Sequence, residues 1–197
     1  MRPKRKPWAK NFSKLKSIEL THRLAQVADI PAIINLMARA ITENMKSFLT
    51  EAEIDAARET MGVDQTLIQD QTYFVIETLH DNQTVMVGCG GWGKRKTLYG
   101  GDHTKGRDDA LSNPAVDSAR IRAMYTHPAW IRRGIGTYLL DVGEASAREH
   151  GFKTIELGST VPGEPLYLAR GYVEVSRSEQ AAENGSSSTI IKMQKSL

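Results

Sequence analysis

The sequence predicts one mixed α/β domain, and two observations support this fold class. The length of 197 residues is sufficient for one domain with a sizeable core. Along the chain, segments with the two-residue alternation of strands are interleaved with segments that have helical periodicity. Neither an internal repeat nor a change of composition marks a second domain. We therefore expect a single unit over residues 17–197, preceded by a short tail.

The N-terminal part of the sequence predicts one strand and two helices. Residues 17–24 alternate as a strand does, and a helix follows from its predicted cap at Asp29. A second helix has the capping-box spacing of Thr50 and Glu53 at its start, with Gly62 beyond its end. The apolar stripe of the first helix consists of Ile30, Ile33, Ile34, Met37 and Ile41.

A hairpin and a long loop follow in the middle of the chain. Strands are predicted over residues 72–79 and 84–92, with a turn at residues 80–83 between them. Residues 93–118 are rich in glycine and polar residues and show no periodicity. A loop of this length in a compact domain is typical of functional or disordered segments.

The C-terminal half alternates again between strands and helices. Gly151 and Gly171 are placed to end its two predicted helices. The predicted elements are a strand at 119–125, a helix reaching His150, a strand at 152–157, a short helix at 165–170, and strands at 172–176 and 189–193 around a turn with Asn184 and Gly185.

Composition narrows the class of protein. Hydrophobic residues make up 40% and charged residues 25%, which is ordinary for a globular protein. The apolar runs are too short to span a bilayer, and no apolar segment follows the first basic residues as it would in a secretory signal. The single cysteine, Cys89, cannot form an intramolecular disulfide, so we expect a cytoplasmic protein.

Positive charge is concentrated at the N-terminus. Residues 1–16 contain seven Lys and Arg and no acid, so without them the formal net charge changes from +3 to −4. A flexible, solvated basic tail is the simpler interpretation. A nucleic-acid-binding arm is the alternative that the charge leaves open.

The segment WIRRGIGTYLL, residues 130–140, has the features of an anion site. A helix predicted to begin near Gly134 and Gly136 presents N–H groups without internal partners at the positive end of its dipole. The two glycines let a ligand approach the backbone, and Arg132 and Arg133 add positive charge. A phosphate or pyrophosphate is the expected ligand.

Two common phosphate motifs do not fit the chain. A dinucleotide fingerprint needs Gly or Ala three residues after Gly136, where Leu139 stands. Residues 88–95, GCGGWGKR, approximate a P-loop, but Arg95 replaces the hydroxyl residue that would reach magnesium. The glycines of this segment instead indicate a strand bulge or a ligand close to the backbone.

Residues 127–136, HPAWIRRGIG, resemble the acyl-CoA-binding motif of the GNAT superfamily of N-acetyltransferases, roughly V-x-P-x-(Y/W)-(Q/R)-x-x-G-x-(G/A). Ile131 stands where Gln or Arg is usual, and Thr126 stands where Val is usual. The order of elements over residues 17–195 also resembles the family. The resemblance implies a mixed, mostly antiparallel sheet with a V-shaped splay, flanked by helices, and acetyl-CoA as co-substrate without a metal.

The resemblance also implies which residues hold coenzyme A. Main-chain N–H groups of the motif would bind the pyrophosphate, and the backbone of the fourth strand would pair with the pantetheine arm and the acetyl carbonyl. The implied cofactor-binding residues are Met124, Tyr125, Thr126, Ile131, Arg132, Arg133, Gly134, Ile135, Gly136 and Thr137.

A second motif of the family, Y-x-x-x-G-(F/Y), is matched by residues 167–172, YLARGY. The match implies that Tyr167 is the general acid that protonates the departing thiolate of CoA. Packing of a helix is the alternative role for this residue. Some members of the family have a glutamate early in the fourth strand as general base, but here Arg120 and Arg122 occupy that strand.

The group that deprotonates the acceptor amine is left open by the sequence. The candidates are Glu77, Asp102, His103 and His127, or a chain of water molecules. Glu77, Asp102 and His103 are also candidates for binding the acceptor. Direct attack without a protein base remains an alternative.

The long loop and the cysteine invite further hypotheses. We hypothesise that residues 93–118 line the acceptor pocket, and that Asp102, Asp108 and Asp109 favour a cationic amine. A metal site in the loop is not expected, because no ligand spacing matches a known site. Cys89 lacks the His and Asp partners of a nucleophile, so a small buried apolar role is expected.

The resemblance implies an N-acetyltransferase that moves an acetyl group from acetyl-CoA to a primary amine of a small molecule or peptide. Transfer would occur by direct attack in a ternary complex. A catalytically silent CoA-binding sensor and a nucleic-acid-associated protein that uses the tail are the open alternatives. No membrane association is expected. The sequence leaves the oligomeric state open, and the resemblance allows a homodimer, because exposed final strands in the family often pair across dimers.

Overall fold

The computed structural model describes residues 18–103, 105–181 and 187–197. The predicted basic tail, residues 1–16, and the predicted turn at Asn184 and Gly185 lie outside the described residues. The helices are α1 Ile30–Asn44, α2 Glu51–Thr60, α3 Gln65–Gln69, α4 Ile135–Glu149 and α5 Glu164–Ala169. The strands are β1 Thr21–Leu24, β2 Tyr73–His80, β3 Gln83–Gly93, β4 Ala119–Thr126, β5 Thr154–Ser159, β6 Val173–Ala181 and β7 Ser187–Ser196.

The strands form one sheet in the order β1-β2-β3-β4-β5-β7-β6. All neighbouring pairs are antiparallel except β4 and β5, which are parallel. This arrangement confirms the predicted mixed, mostly antiparallel sheet. On one face, Val75 and Cys89 pack in a core with α1, and on the other, Ile76 and Val87 pack with residues of α4.

The predicted V-shaped splay lies between β4 and β5. The two strands pair only at Ala119 with Ile155 and at Arg120 with Glu156, and they diverge beyond these positions. An ion pair between Arg120 and Glu156, 3.1 Å long, spans the last paired position, and Lys192 from β7 approaches the same carboxylate at 2.9 Å. The C-terminal ends of β4 and β5 therefore leave an opening in the sheet.

Local sequence signals account for several element boundaries. Thr50 and Glu53 form the predicted capping box of α2. The hairpin between β2 and β3 turns at Asp81 and Asn82, which both have positive φ, as a two-residue type I′ turn requires. Gly134 caps the start of α4 in a left-handed conformation with φ of 83°.

Two expectations about the N-terminal helices were wrong in detail. Ile34 was predicted on the apolar stripe of α1, but its side chain is 50% exposed, and Leu36 and Ala40 are buried instead. The short helix α3 was not predicted, because its five residues are too few to show a period.

A buried charge network joins α3, the long loop and β4. Asp64, at the start of α3, is 1% exposed and accepts a hydrogen bond of 2.8 Å from Arg122 of β4. Arg107 from the loop reaches the same carboxylate at 3.1 Å. Arg122 also donates to the carbonyls of Thr97 and Gly100 at 2.8 and 2.7 Å. The network thus fixes the loop against the sheet.

Removing the shared carboxylate should be strongly destabilising, because it leaves two guanidinium groups without their buried counter-ion. We expect Asp64→Ala to lower the free energy of unfolding by about 3–5 kcal/mol, measured by urea denaturation. The matched control is Asp55→Ala, which removes the exposed ion pair of Asp55 with Arg58 and should cost less than about 1 kcal/mol. Equal effects of the two substitutions would contradict a structural role for the network.

Candidate functional site

Two adjoining cavities occupy the opening between β4 and β5. The large cavity has a volume of about 580 Å³ and extends from the end of β4 towards the start of α4. Its lining residues are Ala40, Asn44, Met45, Phe48, Met61, Met124, Tyr125, Thr126, Ile131, Arg132, Gly134, Ile135, Gly136, Thr137, Leu139, Thr160, Pro162, Gly163, Leu166 and Tyr167.

The small cavity, of about 200 Å³, lies on the other side of the same opening. Its walls come from the end of α1, from α2, from the long loop, and from β4, β5, β6 and β7. The two cavities share a set of lining residues, so they meet there. The shared residues are Met45, Met61, Met124, Tyr125, Thr160, Pro162 and Tyr167.

The structure brings nearly all the predicted coenzyme A residues to one place. Every one of the ten except Arg133 lines the large cavity. The guanidinium of Arg133 lies over the ring of Trp130, 4.8 Å from its centroid. Arg133 therefore adds positive charge near the turn without lining the cavity.

The start of α4 has the predicted geometry of an anion site. The first helical bond runs from the N–H of Tyr138 to the carbonyl of Gly134. Within the described residues, the N–H groups of Ile135, Gly136 and Thr137 donate no hydrogen bond, and all three residues line the large cavity. Negative charge in this cavity would meet these donors and the positive end of the α4 dipole.

The two glycines of the motif serve different purposes. At Gly134, a Cβ would meet no atom within 4 Å, and the positive φ is the feature that requires glycine. At Gly136, a Cβ would lie 2.9 Å from Cδ2 of Leu166. This glycine therefore permits close packing of α5 on α4, in addition to any approach by a ligand.

The free edge of β4 presents main-chain groups to the opening. The N–H of His127 donates to the carbonyl of Val87 in β3 at 2.9 Å, and Tyr125 is paired with Cys89. Because main-chain groups alternate along a strand, those of Thr126 point away from β3, towards the opening. Met124 lines both cavities and follows Ala123, whose φ of 49° marks a bulge where the pairing of β3 with β4 shifts.

Asn44, at the end of α1, occupies part of this edge. Its Nδ2 donates to the carbonyl of Thr126 at 2.8 Å, so that carbonyl already has a partner. Its Oδ1 is buried and has no hydrogen-bond partner in the described part of the chain. The residue lines the large cavity, and its acceptor atom is one that a donor group of a ligand would satisfy. No local sequence pattern predicted this role for Asn44.

Tyr167 lies on α5 where the two cavities meet. Burial raises the pKa of its hydroxyl to about 12, and the hydroxyl has no hydrogen bond to another described residue. Its ring packs edge-on against Tyr172 at 5.7 Å. Tyr172 in turn donates to Glu144 of α4 at 3.0 Å, so the second tyrosine of the motif holds α5 in place.

The residues proposed from sequence to accept a proton or bind the acceptor lie outside both cavities. Glu77 pairs with Arg23 at 3.0 Å on the far side of β2. Asp102 accepts from the N–H of Gln65 at 3.0 Å.

The two histidines proposed from sequence also lie elsewhere. His103 packs on Gly62, and Nε2 of His127 lies 2.8 Å from a guanidinium nitrogen of Arg39. Their placement gives no support to the predicted role in the acceptor site.

The long loop lines the small cavity with a different part of its sequence from the one expected. Leu98, Tyr99 and Gly100 face the cavity. Asp108 accepts from the N–H of Ala110, and Asp109 accepts from Arg107. The side chains of Asp108 and Asp109 are thus engaged within the loop. The carboxylates that line the small cavity are Glu53 of α2 and Glu179 of β6, which sequence patterns did not single out for this role.

The remaining motifs have structural roles. Cys89 is fully buried in the sheet, and burial raises its thiol pKa to about 12, so it is not a thiolate at neutral pH. A Cβ on Gly91 would lie 2.1 Å from the carbonyl oxygen of Thr72, so this glycine allows close backbone packing in the P-loop-like segment. Arg95 of the same segment pairs with Asp70 at 2.7 Å.

Among the described residues, no group of three or more His, Cys, Asp or Glu side chains is arranged to hold a metal ion. No described helix is both long enough and apolar enough to cross a membrane.

The sequence model of the Acetyltransferase (GNAT) family matches residues 37–172, which include both predicted motifs. No curated protein matches the chain.

Solved structures show the same fold at low sequence identity. A GCN5-related N-acetyltransferase from Rhodopseudomonas palustris has a TM-score of 0.61 at 20% identity, covering 90% of this chain and 95% of its own. YncA from Salmonella typhimurium, solved with its cofactor acetyl-CoA, has a TM-score of 0.55 at 20% identity over 90% and 94% of the two chains. An N-acetyltransferase from Thermoplasma acidophilum in complex with coenzyme A has a TM-score of 0.55 at 11% identity over 91% and 100%.

Proposed function

Because the chain belongs to the GNAT family of acetyltransferases, we propose that it transfers an acetyl group from acetyl-CoA to a primary amine by direct attack in a ternary complex. The observation that carries this proposal is the position of Tyr167, which lines both cavities where they meet. A donor in the large cavity and an acceptor in the small one would react beside its hydroxyl.

The large cavity suits coenzyme A at both of its ends. The N–H groups of Ile135, Gly136 and Thr137, with the nearby Arg132, would bind the pyrophosphate. The main-chain groups of Met124 and the N–H of Thr126 would pair with the extended pantetheine arm as a neighbouring strand does. Acetyl-CoA is thus proposed as the co-substrate, with its thioester placed near Tyr167.

The proposed chemistry needs one proton donor and one nucleophile. A neutral amine attacks the thioester carbonyl, forming a C–N bond and a tetrahedral intermediate. The C–S bond then breaks, the sulfur takes the electron pair, and Tyr167 supplies a proton to it. The proton that the amine loses passes to water, and water returns a proton to the Tyr167 phenolate, so the enzyme ends the cycle as it began.

Two further expectations complete the proposal. The free thiol Cys89 fits a reducing compartment such as the cytoplasm. We also propose that a homodimer forms through β6. This strand is the outer strand of the sheet, and its Val173 and Val175 are 62% and 54% exposed.

Removing the hydroxyl of Tyr167 should separate turnover from binding. We expect Tyr167→Phe to lower kcat by about 10²- to 10⁴-fold and to leave the Kd of acetyl-CoA unchanged, because the hydroxyl acts on the departing sulfur. Thiol release at saturating acetyl-CoA and calorimetry would measure the two quantities. The pKa of Tyr167 is about 12, so its hydroxyl stays protonated between neutral pH and about pH 10. Ionisation of Tyr167 should therefore not lower the wild-type rate in that pH range.

Tyr138→Phe is the matched control for this experiment, because Tyr138 lies outside both cavities and its hydroxyl contacts His22. Its kcat should remain at the wild-type value. If Tyr167→Phe kept full turnover, or lost acetyl-CoA affinity in proportion to kcat, the assignment of Tyr167 as general acid would be wrong.

Asn44 provides a separate test of the donor site. We expect its unpartnered Oδ1 to accept an N–H from an amide of the pantetheine arm, so Asn44→Ala should raise the Kd of acetyl-CoA by about 5- to 10-fold, roughly 1–1.4 kcal/mol. Glu43→Ala, on the exposed face of the same helix, is the control and should bind normally. Unchanged affinity in Asn44→Ala would place the pantetheine arm elsewhere.

A further inference from the structure

The small cavity is walled largely by apolar side chains. Leu49, Met61, Leu98, Leu157 and Ile190 face it from five different elements of the fold. For scale, an apolar cavity of about 150 Å³ inside a protein holds a benzene molecule. The volume of about 200 Å³ therefore suits one ring or a short alkyl chain.

Positive charge in the small cavity is already neutralised. Arg122 is the one Lys, Arg or His among its described lining residues. Its guanidinium is committed to Asp64 and to the carbonyls of Thr97 and Gly100, at 2.7 to 2.8 Å. A ligand carboxylate would consequently find no uncommitted cation in this cavity and would be desolvated without a partner.

Negative charge, by contrast, remains available. Glu53 uses Oε2 to accept from the N–H of Thr50 at 2.7 Å, and Glu179 uses Oε1 to accept from the hydroxyl of Thr189 at 2.8 Å. The other carboxylate oxygen of each residue has no hydrogen bond within the described part of the chain. The hydrogen bonds from Thr50 also lower the pKa of Glu53, so it is ionised at neutral pH.

We propose that the acceptor is a small primary amine on an apolar body without a carboxylate, such as an arylalkylamine or a short alkylamine. The apolar body occupies the small cavity, and the protonated amine is attracted by Glu53 and Glu179 before it loses its proton. This inference rests on the proposed acetyl transfer and names its substrate class. It excludes free amino acids as good substrates, although they carry the same amine.

Matched pairs of acceptors test the proposal directly. Phenethylamine and phenylalanine differ by one carboxylate, as do tyramine and tyrosine, and each has one ring. With acetyl-CoA and the full chain, we expect kcat/KM for each amine to exceed that of its amino acid by more than about tenfold, because the carboxylate would be left unpaired. A short peptide with an N-terminal alanine, tested at the same concentration, represents the macromolecular alternative.

Substitutions that remove the negative charge and keep the side-chain shape test the two carboxylates. Glu53→Gln keeps the capping box, since glutamine also fits it, and Glu179→Gln keeps an acceptor for Thr189. Each should raise KM for phenethylamine by about 3- to 10-fold, and the Kd of acetyl-CoA should stay constant. The control is Glu51→Gln, an exposed glutamate on the same helix that does not line the small cavity.

The outcomes separate this inference from the proposed function. Higher kcat/KM for amino acids or for the peptide would overturn the substrate class and leave the acetyltransferase assignment intact. Equal KM changes in Glu53→Gln and Glu51→Gln would overturn the role of Glu53. If acetyl-CoA binds but no acceptor is acetylated, the proposed function fails. Calorimetric titration of phenethylamine then decides whether the small cavity binds an amine at all, and absence of binding overturns the inference.

Discussion

The short parallel contact between β4 and β5 is the feature on which the rest of the site depends. The strands pair at two positions and separate after Arg120 and Glu156, whose ion pair is reinforced by Lys192. Each diverging strand then has an edge without a neighbouring strand, and such edges leave main-chain donors and acceptors unpaired. An extended ligand that carries amides can satisfy them, which is why the large cavity follows this edge.

The second constraint is the buried charge network around Asp64. Arg122 lies on β4, in the strand where some members of the family place a catalytic glutamate, and its charge must be compensated because it is 4% exposed. Asp64 supplies that compensation, and two loop carbonyls complete the hydrogen bonding. One consequence is a fixed loop that can form a wall of the small cavity. The other consequence is that Arg122, whose guanidinium is already bound to Asp64 and the loop carbonyls, is not available to bind an anionic ligand.

The sequence predicted features that depend on near neighbours and missed those that depend on distant ones. The capping box at Thr50, the start of α4 near Gly134 and the turn of the hairpin are each determined within a few residues. The contact of Asn44 with Thr126 joins positions 82 residues apart, and no local sequence pattern predicts such a contact.

The loop acids illustrate the same limit. Their composition indicated an acidic pocket, but hydrogen bonds within the loop engage Asp108 and Asp109. Glu53, which the sequence marked only as a helix cap, lines the small cavity because α2 is packed beside the end of α1. Residue type and local spacing therefore predicted the chemical capability of a side chain, but they did not predict where in the fold the side chain lies.

The environment of Tyr167 also constrains how the proposed acid works. Its pKa is raised to about 12 by burial, whereas a free thiol has a pKa of about 8.5. Full proton transfer from this tyrosine to a free thiolate would therefore be uphill by about 5 kcal/mol. The tetrahedral intermediate that the attacking amine forms is zwitterionic, and an ammonium group closer to the phenol than the oxyanion would lower the phenol's pKa. The proposed acid would then be strongest when donor and acceptor are both bound, whereas without them the buried phenol holds its proton.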